Sequence, residues 1–204
     1  MTVKPLVLGL TGSIAMGKST VAQIFVDEAI PHFDADAAVH LLQGPGGALV
    51  SEIEAAFPGT TGPTGVDRQK LGPIVLGNRE KLARLESIIH PAVGAMRAQF
   101  LEKHRDAPIV LFDVPLLFEK GGAAGVDKVV VVSAPADQQR RRALAREGMT
   151  VEKFEHILSL QMPDSEKRKR ADYVIDTGVS IAETREQVRV LIKKLRDDLA
   201  DSKE

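Results

Sequence analysis

Residues 6–20 read LVLGLTGSIAMGKST: an apolar run, then Gly12-Ser13-Ile14-Ala15-Met16-Gly17-Lys18-Ser19, then Thr20. This is the G-x-x-x-x-G-K-[ST] pattern, and it stands where its chemistry requires, after a strand-like run and before a helix-like one. Glycine lets the backbone turn tightly and approach a ligand with no Cβ in the way. Successive N–H groups then converge, and the helix beginning near Lys18 aims its positive end at the same point. Residues 12–20 are therefore predicted to cradle the phosphates of a nucleoside triphosphate. In such a loop the Lys18 ammonium reaches the β- and γ-phosphates, and the Ser19 hydroxyl is a ligand for Mg²⁺.

Leu6–Leu10 is apolar on both faces, as a central parallel strand must be. Comparable runs at Ile109–Phe112, Lys128–Val132 and Tyr173–Ile175, with a short one at Pro31–Phe33, make about five strands. Helical patterns alternate with them. Lys18–Ala29 is stopped by Pro31, and a short helix spans about Ala37 to Leu42. A basic stretch, Gln138–Arg170, carries Thr150 as a helix cap, and Ser180-Ile181-Ala182-Glu183 is a capping box that opens the last helix. From Ala48 to about Gln99 the chain reads as helices and loops. Pro58–Gly65 is predicted as a loop, and an apolar face at Leu82, Leu85, Ile88 and Ile89 ends before His90-Pro91. The expected architecture is α/β: a P-loop NTPase-type parallel sheet of about five strands flanked by helices, with helical acceptor-binding and lid insertions. Its core spans about 5–33, 108–135 and 172–200, the acceptor insertion about 37–100 and the lid about 138–170, all one domain. The tail from 201 to 204 is expected to fray.

Several residues are placed for chemistry. Asp34 and Asp36 end a strand at the sheet edge where the phosphate loop lies, and ligands bind there in open α/β folds. Either can receive or orient a hydroxyl proton, and either can cap the next helix. Asp113 closes the Ile109–Phe112 strand; an Asp so placed binds Mg²⁺ or simply ends a strand in a turn. Arg140, Arg141, Arg142 and Arg146 lie within two helical turns, with 142 and 146 on one face; they form a phosphate-binding lid or a solvated surface. His90 alone reads as structural or solvent-facing. No His/Asp/Glu group has zinc spacing, and no serine sits in a nucleophile elbow.

Composition removes other classes. The chain has 204 residues, a net charge of −1, one Tyr, seven Phe and no Trp, so neither a nucleic-acid stacking platform nor a global basic field exists. Lys167–Arg170 is basic but isolated from aromatic partners. There is no cysteine, which excludes disulfides and thiolate chemistry. No stretch reaches the roughly 18 apolar residues of a membrane span, and the N-terminal run lacks a cleavage site. A cytoplasmic protein without nucleic-acid or membrane partners is expected; oligomeric state is not legible. The helical insertion, the Arg-rich segment and the lack of an N-K-x-D motif favour a small-molecule kinase over a switch GTPase. A kinase of nucleosides or nucleotides, or a nucleotide-binding regulatory module, are the alternatives.

The ordered motifs resemble dephospho-CoA kinases. They are GLTGSIAMGKST at 9–20, DADAAVH at 34–40, IIHP at 88–91, DVPLLFE at 113–119, Gln139 with Arg142 and Arg146, Gln161, and EKRKRADYVIDTG at 166–178. The resemblance implies that ATP phosphorylates the ribose 3′-hydroxyl of dephospho-CoA. It assigns Gly12, Ser13, Ile14, Ala15, Met16, Gly17, Lys18, Ser19 and Thr20 to ATP and Mg²⁺. Asp36 would face the hydroxyl, with Asp34 as second choice. Asp113 would serve Mg²⁺ or the acceptor, Leu116 and His90 the acceptor, and Arg142 and Arg146 the phosphates. Two positions depart from the pattern. Ala15 stands where many members have glycine; if φ is positive there, alanine is strained by about 1 kcal/mol. Asp176-Thr177-Gly178 replaces an asparagine-containing segment, so purine contacts there are expected from backbone groups.

Overall fold

The computed structural model describes residues 4–119 and 125–201. The tail at 202–204, expected to fray, lies outside the described residues. In chain order the elements are β1 (Leu6–Thr11), α1 (Lys18–Asp27), β2 (His32–Asp34), α2 (Ala35–Gln43), α3 (Val50–Ala56), β3 (Thr61–Gly62), β4 (Gly65–Val66), α4 (Arg68–Val75) and α5 (Arg79–Lys103). They continue with β5 (Ile109–Asp113), β6 (Lys128–Ser133), α6 (Ala136–Leu144), α7 (Val151–Ser159), α8 (Asp164–Arg170), β7 (Tyr173–Asp176) and α9 (Ile181–Asp201). The chain divides into two compact units, residues 1–33 with 104–204, and residues 34–103.

The larger unit is built on a sheet of order β2-β5-β1-β6-β7. β1 pairs in parallel with β5 and β6, and β6 with β7. Every residue of β5, and all but the first of β1 and β6, is buried. Unbroken apolar runs are stable only with a covered sheet face on each side. On one side Leu8, Leu10, Ile109, Leu111, Val130 and Val132 pack with Ile24 and Phe25 of α1 and Val188, Leu191, Ile192 and Leu195 of α9. On the other, Val129 and Val131 meet Leu117, Val114 and Phe118. Full burial of Phe25 or Val188 stabilises by roughly 1.5–3 kcal/mol each. The capping box forms as predicted: Ser180 N–H donates to Glu183 Oε2 at 2.9 Å and Glu183 N–H to Ser180 Oγ at 3.2 Å. Thr150 Oγ1 likewise accepts from Lys153 N–H.

The basic stretch 138–170 forms three helices, α6, α7 and α8. Gly148, in the left-handed region at φ 70, separates α6 from α7, and Pro163 stands at the N-cap of α8. Arg146 consequently lies beyond Ala145, the C-cap of α6, so it shares no helical face with Arg142. The second basic cluster is not uniformly solvated. Arg168 pairs with Asp164 and Lys169 with Glu166. Lys167 is fully buried, its Nζ 2.7 Å from Glu119 Oε1.

The smaller unit has its own core of Leu42, Leu49, Ile53, Phe57, Leu71, Val75 and Leu85. Two elements differ from the sequence expectation. The 58–65 loop contains the antiparallel pair β3–β4, anchored where Glu54 Oε2 accepts from the Thr61 N–H and Oγ1. The helix expected to end before His90-Pro91 runs on to Lys103. Proline in a helix interior costs about 3 kcal/mol by removing one backbone bond and crowding the preceding turn. Ile88, Ile89, Ala92, Val93 and Met96 pack on the core on either side of it and carry the helix through. Among the described residues no helix is long and apolar enough to cross a membrane.

Candidate active site

The phosphate loop leaves β1 at Thr11 and enters α1 through Gly17, which sits at φ 87 as the helix N-cap. A Cβ at Gly17 would lie 3.1 Å from Thr177 Oγ1, and one at Gly12 only 2.3 Å from Val132 Cγ2. Both glycines are thus required by close approach, and Gly17 by its dihedral as well. No side chain caps α1 and its first turn carries no acid. Its terminal N–H groups and positive dipole end are left for an anion.

Ala15 is in the left-handed region, at φ 61. The strain is real, and its methyl is buried: Ala15 is 6% exposed and packs with Ala143 of α6 and Phe154 of α7. Polar side chains pin the rest of the loop from outside. Gln161 Oε1 accepts from Ile14 N–H at 2.9 Å, Gln139 Nε2 donates to the Ile14 carbonyl at 2.9 Å, and Thr177 Oγ1 donates to the Met16 carbonyl at 2.7 Å.

Lys18 Nζ forms an ion pair with Asp113 Oδ1. Asp113 is 4% exposed at the end of β5. A buried carboxylate of this kind requires a counter-cation. His32 Nε2 stands 3.9 Å from the other oxygen, Asp113 Oδ2. His32 was missed in the sequence; only the adjacency of β2 and β5 brings it beside Asp113. Arg142 donates through Nη2 to the Thr177 carbonyl at 2.7 Å and through Nη1 to Thr177 Oγ1 at 3.3 Å. It is therefore tied to the segment after β7, whose Thr177 also grips the phosphate loop. Arg146 is exposed, and Leu116, 36% exposed, follows β5. Ser19 and Thr20 lie in the first turn of α1. Among the described residues no group of three or more acidic or imidazole side chains forms a metal cluster.

In the smaller unit the two carboxylates differ in their bonding. Asp34 is the N-cap of α2, its Oδ1 accepting from Ala37 N–H at 2.9 Å. Asp36 lies exposed in the first turn, and its carboxylate has no hydrogen-bond or ion-pair partner among the described residues. His90 is exposed in mid-α5.

A parallel α/β sheet, a glycine-rich phosphate loop on its first strand and a bare helix N-terminus behind that loop define a P-loop kinase fold. A family model described as dephospho-CoA kinase matches residues 6–183. A dephospho-CoA kinase of Novosphingobium aromaticivorans is 62% identical over 194 residues, covering 95% of this chain and 96% of that protein. A crystal structure from Thermus thermophilus superposes with a TM-score of 0.84 at 31% identity, over 95% of this chain and 99% of that one. The dephospho-CoA kinase of Campylobacter jejuni gives 0.64 at 25% identity, over 95% and 98%. The chain belongs to the dephospho-CoA kinase family.

Proposed function

We infer that this protein transfers the γ-phosphoryl group of ATP to the ribose 3′-hydroxyl of dephospho-CoA, releasing CoA and ADP, the last step of coenzyme A synthesis. Membership of the family over residues 6–183 carries this reading. Loop residues 12–20 hold the ATP phosphates, and Lys18 leaves Asp113 for the β- and γ-phosphates when they arrive. Such electrostatic stabilisation and positioning dominate phosphoryl transfer. Asp36, free of the capping duty that occupies Asp34, orients the acceptor hydroxyl and receives its proton, with Asp34 fixing the turn beneath it. Arg142 and Arg146 neutralise charge on the transferred group. Leu116 and His90 are assigned to acceptor binding. A hydroxyl and a carboxylate, Ser19 and Asp113, are the hard oxygen donors that Mg²⁺ takes alongside substrate phosphates and water. When bound, Mg²⁺ would spread the charge of the phosphate oxygens. The whole chain acts as one kinase domain with acceptor and lid insertions, and the family's place in coenzyme A synthesis supports a cytoplasmic location.

The test is ADP release with ATP, Mg²⁺ and a panel of acceptors, in wild type and Asp36→Asn. Dephospho-CoA should be the preferred acceptor. The variant should keep its ATP affinity and lose about 10²-fold or more in kcat. Turnover of a nucleoside but not of dephospho-CoA would overturn the acceptor; an unchanged kcat would remove Asp36 from its role.

A further inference from the structure

Arg68 opens α4 in the smaller unit and carries an exposed guanidinium. An arginine so placed ordinarily meets a carboxylate. Here none lies within ion-pair distance among the described residues, and its hydrogen-bond partners are an imidazole and an amide. Nη1 bonds His40 Nε2 at 2.8 Å and Nη2 donates to Gln43 Oε1 at 3.2 Å. A guanidinium can only donate, so His40 Nε2 is the acceptor and the ring's proton is on Nδ1. Nδ1–H then donates to the Asp36 carbonyl at 2.7 Å. Asp36 and His40, four residues apart, share a face of α2. One hydrogen-bonded chain thus runs from the backbone of Asp36 through His40 to Arg68.

The local sequence builds this placement. Gly65, at φ 92, sets its backbone so close to the end of α2 that a Cβ would lie 2.2 Å from the Gln43 carbonyl oxygen. Asp67 caps α4, accepting from the Gln69 and Lys70 N–H groups, and so is occupied. Arg68 follows, fixed in plane by two bonds, with no counter-charge and no further hydrogen bond among the described residues. A rigid, exposed, unneutralised fork of donors suits the oxygens of a phosphate or diphosphate.

We propose that Arg68 binds the diphosphate bridge of the acceptor, with His40 as the residue that positions it. The proposal rests on the acceptor named above, whose diphosphate is its anionic group. Arg68→Gln should raise KM for dephospho-CoA and its calorimetric Kd by about 10- to 100-fold, the usual worth of a hydrogen bond to a charged group. KM for ATP, kcat at saturation and the thermal midpoint should stay near wild type. Arg68→Lys, which keeps the charge without the fork, should recover part of the loss, and added salt should weaken dephospho-CoA binding more in wild type than in Arg68→Gln. Unchanged dephospho-CoA affinity in Arg68→Gln, or an equal rise in both substrates' KM, overturns the assignment. Binding that depends on Arg68 without any turnover in wild type would instead retain it and sink the proposed reaction.

Discussion

Two alanines in this chain occupy the left-handed region at almost the same angle, Ala15 at φ 61 and Ala29 at φ 60. They differ in what surrounds the methyl. Ala15 is 6% exposed and packs on Ala143 and Phe154, whereas Ala29, just after α1, is exposed. Replacing either with glycine relieves about 1–2 kcal/mol of left-handed strain and gives back about 0.4–1 kcal/mol through the looser unfolded chain. For Ala29→Gly those terms leave a gain of about 0.5 kcal/mol. Ala15→Gly also loses a buried methyl, about 0.8 kcal/mol by transfer, plus about 0.5 kcal/mol for the void it leaves. Its net should be a loss of about 0.5–1 kcal/mol. Because strain and unfolded-state entropy are common to both sites, the difference between the variants isolates the methyl, at about 1.3 kcal/mol. Urea unfolding of both proteins measures it, and the thermal midpoints should separate by roughly 3–5 °C for a chain of this size. Turnover should survive in both variants, since neither removes a ligand-facing group. Equal shifts in the two variants would refute the claim that Ala15 is retained for its packing on α6 and α7.

The other expectations concern groups that hold the site in place. Thr177→Val keeps the shape of a buried side chain but leaves the Met16 carbonyl without its donor; stability should fall by about 1–2 kcal/mol, and KM for ATP should rise as the loop loosens. Lys167→Met strands Glu119 and should destabilise by about 3 kcal/mol, while adding Glu119→Gln should restore much of it; additive losses in the double mutant would show the two residues to be independent. Burial raises the Glu119 carboxyl, but the Lys167 ammonium and the Met162 N–H outweigh it and hold the group below the usual glutamate range. A depressed carboxyl contributes stability that is complete above the unfolded value of about 4.3 and is lost as pH falls through the folded one. Unfolding midpoints of wild type should therefore drop below about pH 4 more steeply than those of the double mutant.

The strands were legible because a doubly covered sheet requires unbroken apolar runs. β1, β5, β6 and β7 fall within a residue of the runs at Leu6, Ile109, Lys128 and Tyr173. The caps at Thr150 and Ser180 were legible for a similar reason: the chemistry is local. Pro91 misled, because a proline's local cost says nothing of the packing on both sides that repays it. So did the basic run 138–170, where charge pattern alone cannot reveal that Lys167 is buried beneath the segment after β5.

The site shows the same division between local and tertiary information. Gly12 to Ser19 could be read as a phosphate loop because its function lies in its own backbone; whether Ala15 takes the positive φ of the missing glycine was left open, and the structure answers it at 61. What holds that loop was not readable as geometry. Gln139, Gln161 and Thr177 are 125, 147 and 161 positions away from the loop residues they grip. His32 meets Asp113 only because β2 and β5 are neighbours. In the smaller unit one hydrogen bond, Ala37 N–H to Asp34 Oδ1, shows which of Asp34 and Asp36 caps the helix. That bond commits Asp34 to the helix and leaves the Asp36 carboxylate without a partner among the described residues, which supports the role proposed for it. On the proposed role of Asp36 the cap serves the chemistry too: Asp34→Ala should cost about 1 kcal/mol of stability and also lower kcat, because the turn that carries Asp36 frays with it. A kcat that holds while stability falls would separate the two carboxylates completely.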